Sequence, residues 1–156
     1  MKKVLFIDRD GTLIEEPKID QQVDSFEKLA FLPGVISNLK KITTITDYEL
    51  VMVTNQDGLG TGSFPEDTFW PVHQKMLEIF ASEGIIFQQI HIDRSFQHEN
   101  KPTRKPGIGM LKNIEKKWPI DMKKTFFTGI SALAFIGAFT ATLAFAQTPT
   151  GQTQHE

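Results

Sequence analysis

Two aspartates, Asp8 and Asp10, stand two residues apart at the end of the apolar run Val4 to Ile7, with Gly11 directly behind them. Like charges set side by side repel each other and resist leaving water, so the arrangement calls for a positive partner. A hard divalent cation is one, and magnesium is the usual ion where phosphates are handled. The pair then has a definite chemistry. Asp8 can attack phosphorus in line and carry the phosphoryl group as an aspartyl phosphate, while Asp10 protonates the leaving alkoxide and afterwards activates water. Gly11 keeps the turn open enough for backbone amides to face phosphate oxygens.

Three further groups suit the same chemistry. Thr54 can donate its hydroxyl to a phosphoryl oxygen, and Asn55 can orient substrate or phosphate. Lys105, in "TRKPG", stands just ahead of a predicted helix, where its charge and the helix dipole both favour an anion.

The elements that must position these residues alternate along the chain. Val4 to Ile7 reads as a strand buried on both faces, and Leu50 to Val53 as a second. Val35, Ile36, Leu39 and Ile42 have helical spacing after Pro33. Phe64 to Gly84 reads as a helix with a broken start, because Pro65 and Pro71 oppose a continuous early run. Ile85 to Asp93 is a third strand, Gly109 to Trp118 an amphipathic helix and "KKTFFTG" a fourth strand. Strand and helix in alternation imply right-handed crossovers and an α/β fold with a doubly wound, mostly parallel sheet of Rossmann-like type. Ligands of such sheets bind beyond the carboxyl ends of the strands, which is where Asp8, Asp10, Thr54 and Asn55 fall.

Composition narrows the class. The chain has 156 residues with a net charge of −2, so it advertises no basic surface for nucleic acid. It has no cysteine, which excludes disulfides and thiolate metal sites and fits a reducing, cytoplasmic setting.

"DRDGT" after an apolar strand, "VTNQ" after a second and "RKP" before a helix resemble the first three signature motifs of the haloacid dehalogenase superfamily. The long flanks around them, from Met1 to Trp118, are closer to the histidinol-phosphatase domain of bifunctional histidine-biosynthesis enzymes. The resemblance implies magnesium-dependent hydrolysis of a small phosphate monoester, histidinol phosphate, with Asp8 as nucleophile and metal ligand. It makes Asp10 the acid, base and second ligand, and Lys105 the support of the phosphoaspartate. It also points to Glu16 and Arg104 as substrate contacts. Related phosphatases that act on sugar phosphates share the opening residues, which leaves that substrate class as an alternative.

Two departures stand out. Relatives carry a zinc loop of three cysteines and a histidine before the "RKP" lysine. Here Asp93, Ser95, Lys101 and Thr103 occupy the four ligand positions, which argues against zinc, and His91 and His98 read as surface residues nearby. The family's fourth motif ends a strand in Gly-Asp, whereas here Ile130 follows Gly129 and Ala134 stands at the second acid. The expectation is a chain that keeps the nucleophile but holds magnesium poorly, with a catalytically weak phosphate-binding remnant as the alternative to an active enzyme. Residues 1–121 would form the phosphatase domain and 147–156 a disordered polar tail. Between them, 122–146 has a basic start, an apolar core and an Ala-Phe-Ala end, the plan of a secretory leader. It reads either as such a segment joined to the phosphatase, the one route to membrane association, or as a strand followed by a buried helix.

Overall fold

The structure is a computed structural model, and it describes residues 1–128. The Ile130 and Ala134 positions, the apolar run beyond Thr128 and the 147–156 tail lie outside the described residues.

Four parallel strands form one sheet in the order β3-β2-β1-β4: β1 (Val4–Ile7), β2 (Glu49–Asn55), β3 (Phe87–Asp93) and β4 (Phe126–Thr128). Side chains on successive strand residues point to opposite faces, and the two central strands are apolar on both. Ile7, Leu50 and Met52 meet α1 (Val35–Ile45) and α2 (Glu66–Ser82) through Leu39, Val72, Met76 and Phe80. Val4, Phe6, Val51 and Val53 meet α3 (Gly109–Lys117) through Met110, Leu111 and Ile114. Helices on both faces make the doubly wound α/β arrangement that the alternation implied. β4 completes one edge, with Phe127 stacked on Phe6 at 5.0 Å, so residues 126–128 of the 122–146 segment belong to the sheet.

Two local expectations change. β2 runs on through Thr54 and Asn55, because the ladder to β3 continues to Asn55↔Asp93. The site residues of "VTNQ" therefore end the strand instead of following it. Pro71 lies inside a continuous α2. A proline there forfeits one backbone hydrogen bond, but Phe69, Val72, Met76 and Phe80 are all buried along that helix. Pro65 serves as its N-cap residue, an extended position that suits proline.

Among the described residues no helix is long and apolar enough to cross a membrane.

Candidate active site

β1 ends at Ile7, and the chain then turns back on itself over Arg9 to Ile14. The amides of Leu13 and Ile14 both donate to the Arg9 carbonyl, and Gly11 donates to Ile14 at 2.8 Å. Gly11 sits at φ 69°, a left-handed conformation that costs glycine little. Asp8 is held by its amide, which donates to the Thr128 carbonyl of β4 at 3.0 Å. The parallel register brings Asp8, Asp10 and Asn55 to one cleft of about 250 Å³ at the carboxyl edge of the sheet, with Glu16, Arg104 and Lys105 on its walls.

Both acids have protein cations. Lys105 Nζ is 2.5 Å from Asp8 Oδ2, and the lysine side chain is 3% exposed. Asp8 Oδ1 accepts from the Arg9 amide at 2.8 Å. Arg9, fully buried, turns under the site and donates from Nη1 to both Asp10 oxygens, at 3.0 and 3.3 Å. Gln56 Nε2 donates to Asp10 Oδ2 at 2.5 Å. The sequence argument looked outside the chain for the charge that offsets the aspartates. Arg9 and Lys105 supply it from within.

The consequences for proton affinity follow. Burial pushes Asp10 above the usual carboxylate range, while Arg9 and the Gln56 hydrogen bond restrain the shift. Burial likewise lowers Arg9, with the Asp10 charge opposing. Glu16 is raised by partial desolvation and by the charges of Asp10 and Asp8.

Two residues predicted to touch phosphate are otherwise engaged. Thr54 is 1% exposed, and its hydroxyl donates to Asp10 Oδ2 at 3.4 Å while accepting from Gln56 at 2.9 Å. The Asn55 amide clamps the backbone of Lys105, accepting from its N–H at 3.0 Å and donating to its carbonyl at 3.1 Å. Arg104 bonds Asp57 and donates to the Ser95 carbonyl at 2.9 Å. Arg9 and Gln56 were missed by the sequence reading. Alternation gave a signal for Gln56, which shares a face with Thr54.

Of the positions that match the relatives' zinc loop, Asp93, Ser95 and Thr103 are joined here by hydrogen bonds, and Lys101 is exposed. His91, expected on the surface, lies half-buried within β3 and bonds Gln89 at 2.8 Å. His98 stacks on Phe96 at 5.5 Å. No three His, Cys, Asp or Glu among the described residues form a metal-holding group.

Magnesium requires less. It is usually held by one or two carboxylates, with waters and substrate phosphate completing its shell. Asp8 and Asp10 are oxygen donors on one cleft, and that donor set fits the ion.

A cleft at the carboxyl edge of a doubly wound sheet, with acids at its floor and a buried lysine against one of them, belongs to an α/β domain of the phosphoryl-transfer class. The chain matches the polynucleotide kinase 3 phosphatase family over residues 3–142 and belongs to that family. It is 67% identical over 111 residues to the histidine biosynthesis bifunctional protein HisB of Spirosoma linguale, which covers 71% of this chain and 29% of the relative. The HisB protein of Bacteroides fragilis is 56% identical over 128 residues, covering 82% and 34%. The chain thus spans about a third of the length of these relatives. Among solved structures, D,D-heptose 1,7-bisphosphate phosphatase from B. bronchiseptica, complexed with magnesium and phosphate, superposes with a TM-score of 0.76. It is 26% identical and the match covers 87% of this chain and 75% of that one. A HAD-like phosphatase from Mesorhizobium loti, 22% identical with a TM-score of 0.71, shares the fold over 85% of this chain and 66% of its own.

Proposed function

We propose that the chain hydrolyses a small phosphate monoester through an aspartyl phosphate on Asp8, and that the ester is histidinol phosphate. The observation that carries the reading is Lys105 Nζ at 2.5 Å from Asp8 Oδ2, with Asp10, its side chain 10% exposed and paired with Arg9, on the same cleft. In the first step an Asp8 oxygen bonds to phosphorus and the bond from phosphorus to the ester oxygen breaks. Asp10 gives its proton to the departing alkoxide, which a carboxyl of raised proton affinity is suited to do. In the second step water attacks phosphorus, Asp10 takes a proton from that water, and the bond between phosphorus and Asp8 breaks to release phosphate. Lys105 offsets the charge gathering on the phosphoryl oxygens. Arg9 and Gln56 hold Asp10 in place through both steps. Magnesium, held by Asp8 and Asp10, would neutralise the phosphate dianion and let it approach two acids.

Two observations support the choice of substrate. The relatives at 67% and 56% identity are histidine-biosynthesis proteins. Glu16, on the cleft wall, makes no hydrogen bond or ion pair among the described residues and stands ready for a positive group. Histidinol phosphate carries an ammonium, which a heptose phosphate lacks. Asp20 and Asp57 line the same cleft, and an acid-lined wall disfavours a polyanion such as a nucleic-acid end.

The test is phosphate release from histidinol phosphate and from heptose 1,7-bisphosphate, each with magnesium, beside an Asp8→Asn control. Turnover of histidinol phosphate well above both the control and the heptose substrate is expected. A preference for the heptose ester would overturn the substrate, and rates equal to the control would overturn the hydrolase itself.

A further inference from the structure

The loop that leads from β3 to Arg104 and Lys105 is fastened at both ends to one buried carboxylate. Asp93 closes β3 and is 7% exposed. Its Oδ1 accepts from the Ser95 amide at 2.9 Å and also from the Ser95 hydroxyl. Its Oδ2 accepts from the Thr103 hydroxyl at 2.5 Å. Burial pushes this carboxyl up, yet the bonds from Ser95 and Thr103 prevail and hold it below its ordinary range. A buried charge is tolerated when its lone pairs are filled in this way.

Each fastened residue leads directly to the cleft. The Ser95 carbonyl accepts from Arg104 Nη1 at 2.9 Å, so the residue gripped by Asp93 also supports the guanidinium. Thr103 is followed immediately by Arg104 and Lys105. Between the two ends, Phe96 lies so close to Gly58 that a Cβ there would come within 2.4 Å of its ring. Gly58 in turn donates to the Arg94 carbonyl at 3.0 Å, and the Asp93 carbonyl accepts from the Gln56 amide at 2.7 Å. The loop thereby rests on the turn that carries Gln56 and Asp57.

We propose that Asp93 is a positioning residue for Arg104 and Lys105. By tying Ser95 to Thr103, its carboxylate fixes the loop end that sets the lysine against Asp8. Asn55 holds the Lys105 backbone from β2, and Asp93 holds the preceding stretch from β3, so neighbouring strands grip the same segment. The effect on turnover rests on the phosphatase reading, whereas the effect on the loop does not.

Two variants and two readouts test it. Asp93→Asn keeps the shape but removes acceptor capacity, and Thr103→Val removes a single bond and serves should the first variant fail to fold. Amide hydrogen exchange is read at Lys105, whose N–H donates to Asn55 Oδ1 at 3.0 Å. Its exchange should accelerate about tenfold, the cost of one hydrogen bond, while amides in β1 and β2 keep their rates. Turnover of histidinol phosphate should fall about tenfold in kcat, with no further fall when Asp93→Asn is added to a variant that carries both Arg104→Met and Lys105→Met. Unchanged exchange at Lys105 overturns the proposal. So does a full tenfold loss in that doubly substituted background, since Asp93 would then act by another route. A wild type no faster than Asp8→Asn would instead refute the hydrolase, and the exchange rates would still decide the loop.

Discussion

His73 should make the fold sensitive to mild acid. It lies on α2, 2% exposed, stacked on Phe69 at 5.0 Å and edge-on to Trp70 at 5.8 Å. Neither ring nitrogen has a hydrogen-bond partner among the described residues. Burial, and then the Arg9 charge, lower its pKa to about 3. A depressed histidine pKa means that the unfolded chain takes up the proton first. The neutral ring's contribution is complete above about pH 6.5, and stability is lost as the pH falls from there towards 3. Each pH unit costs about 1.4 kcal/mol in that window, so moving from pH 7.5 to 5 should remove about 2 kcal/mol. Urea unfolding followed by tryptophan fluorescence measures this directly. His91, also lowered by burial and by the Lys117 charge, adds its own slope, so the comparison is with His73→Leu. That variant should unfold within about 1 kcal/mol of wild type at pH 7.5, because it removes two unpaired nitrogens along with the ring. At pH 5 it should be the more stable by about 2 kcal/mol relative to that baseline. Parallel pH slopes for the two proteins would refute the reasoning, since His73 would then protonate as freely in the fold as outside it.

Replacing Arg9 by Met strips the buried Asp10 of its partner, and denaturant unfolding should show a loss of about 3–5 kcal/mol; a loss under about 1 kcal/mol would mean that the pair is not desolvated. Glu16→Gln should raise KM for histidinol phosphate about three- to tenfold, the worth of one charged hydrogen bond at a partly exposed site. It should leave p-nitrophenyl phosphate, which has no ammonium, unaffected, and equal changes for both esters would remove Glu16 from substrate recognition. Magnesium affinity, measured by calorimetry, should improve at least tenfold in Lys105→Met, because the ammonium 2.5 Å from Asp8 Oδ2 repels a second cation there. An unchanged affinity would place the ion away from that oxygen.

Much of the site was legible because its parts are tied to strand ends. An apolar run followed by acids announces β1 and its tip, and Asp8, Asp10, Glu16, Asn55, Arg104 and Lys105 do meet on one cleft. What stayed hidden were directions. Arg9 sits in a turn, where strand alternation no longer tells which way a side chain points, and a charged residue between two acids reads as a surface residue. Only the packed structure shows it turned inward, 5.0 Å over the Phe69 ring. Pro71 misled for the opposite reason. Its local penalty is real, but tertiary burial of the helix face prevails over local preference. Asp93 was read as a failed metal ligand because its partners, Ser95 and Thr103, have short hydroxyls whose pairing depends on how the loop closes.

The aspartates of the opening motif form two separate ion pairs, and the proposed mechanism gives them different duties, Asp8 as nucleophile and Asp10 as acid and base. Asp8 is matched to Lys105, a residue brought from far along the chain by two strands and their loops. Its charge can therefore move from the free acid to a phosphoryl group without leaving the site. Asp10 is matched to Arg9, which is locked beneath it with no cleft exposure, so its proton affinity is set by burial against a fixed cation. A nucleophile requires a partner that can follow the charge, whereas an acid and base requires one that stays in place. Exchanging the two arrangements would spoil both. Lysine, a compact charge on a flexible stem, suits the first duty, and arginine, rigid and permanently protonated, suits the second. The four charges sum to zero within the protein, so the fold keeps two carboxylates at a strand tip whether or not an ion is present. That balance lets the catalytic geometry exist before a phosphate arrives, which is the condition for electrostatic support to act at the moment of reaction.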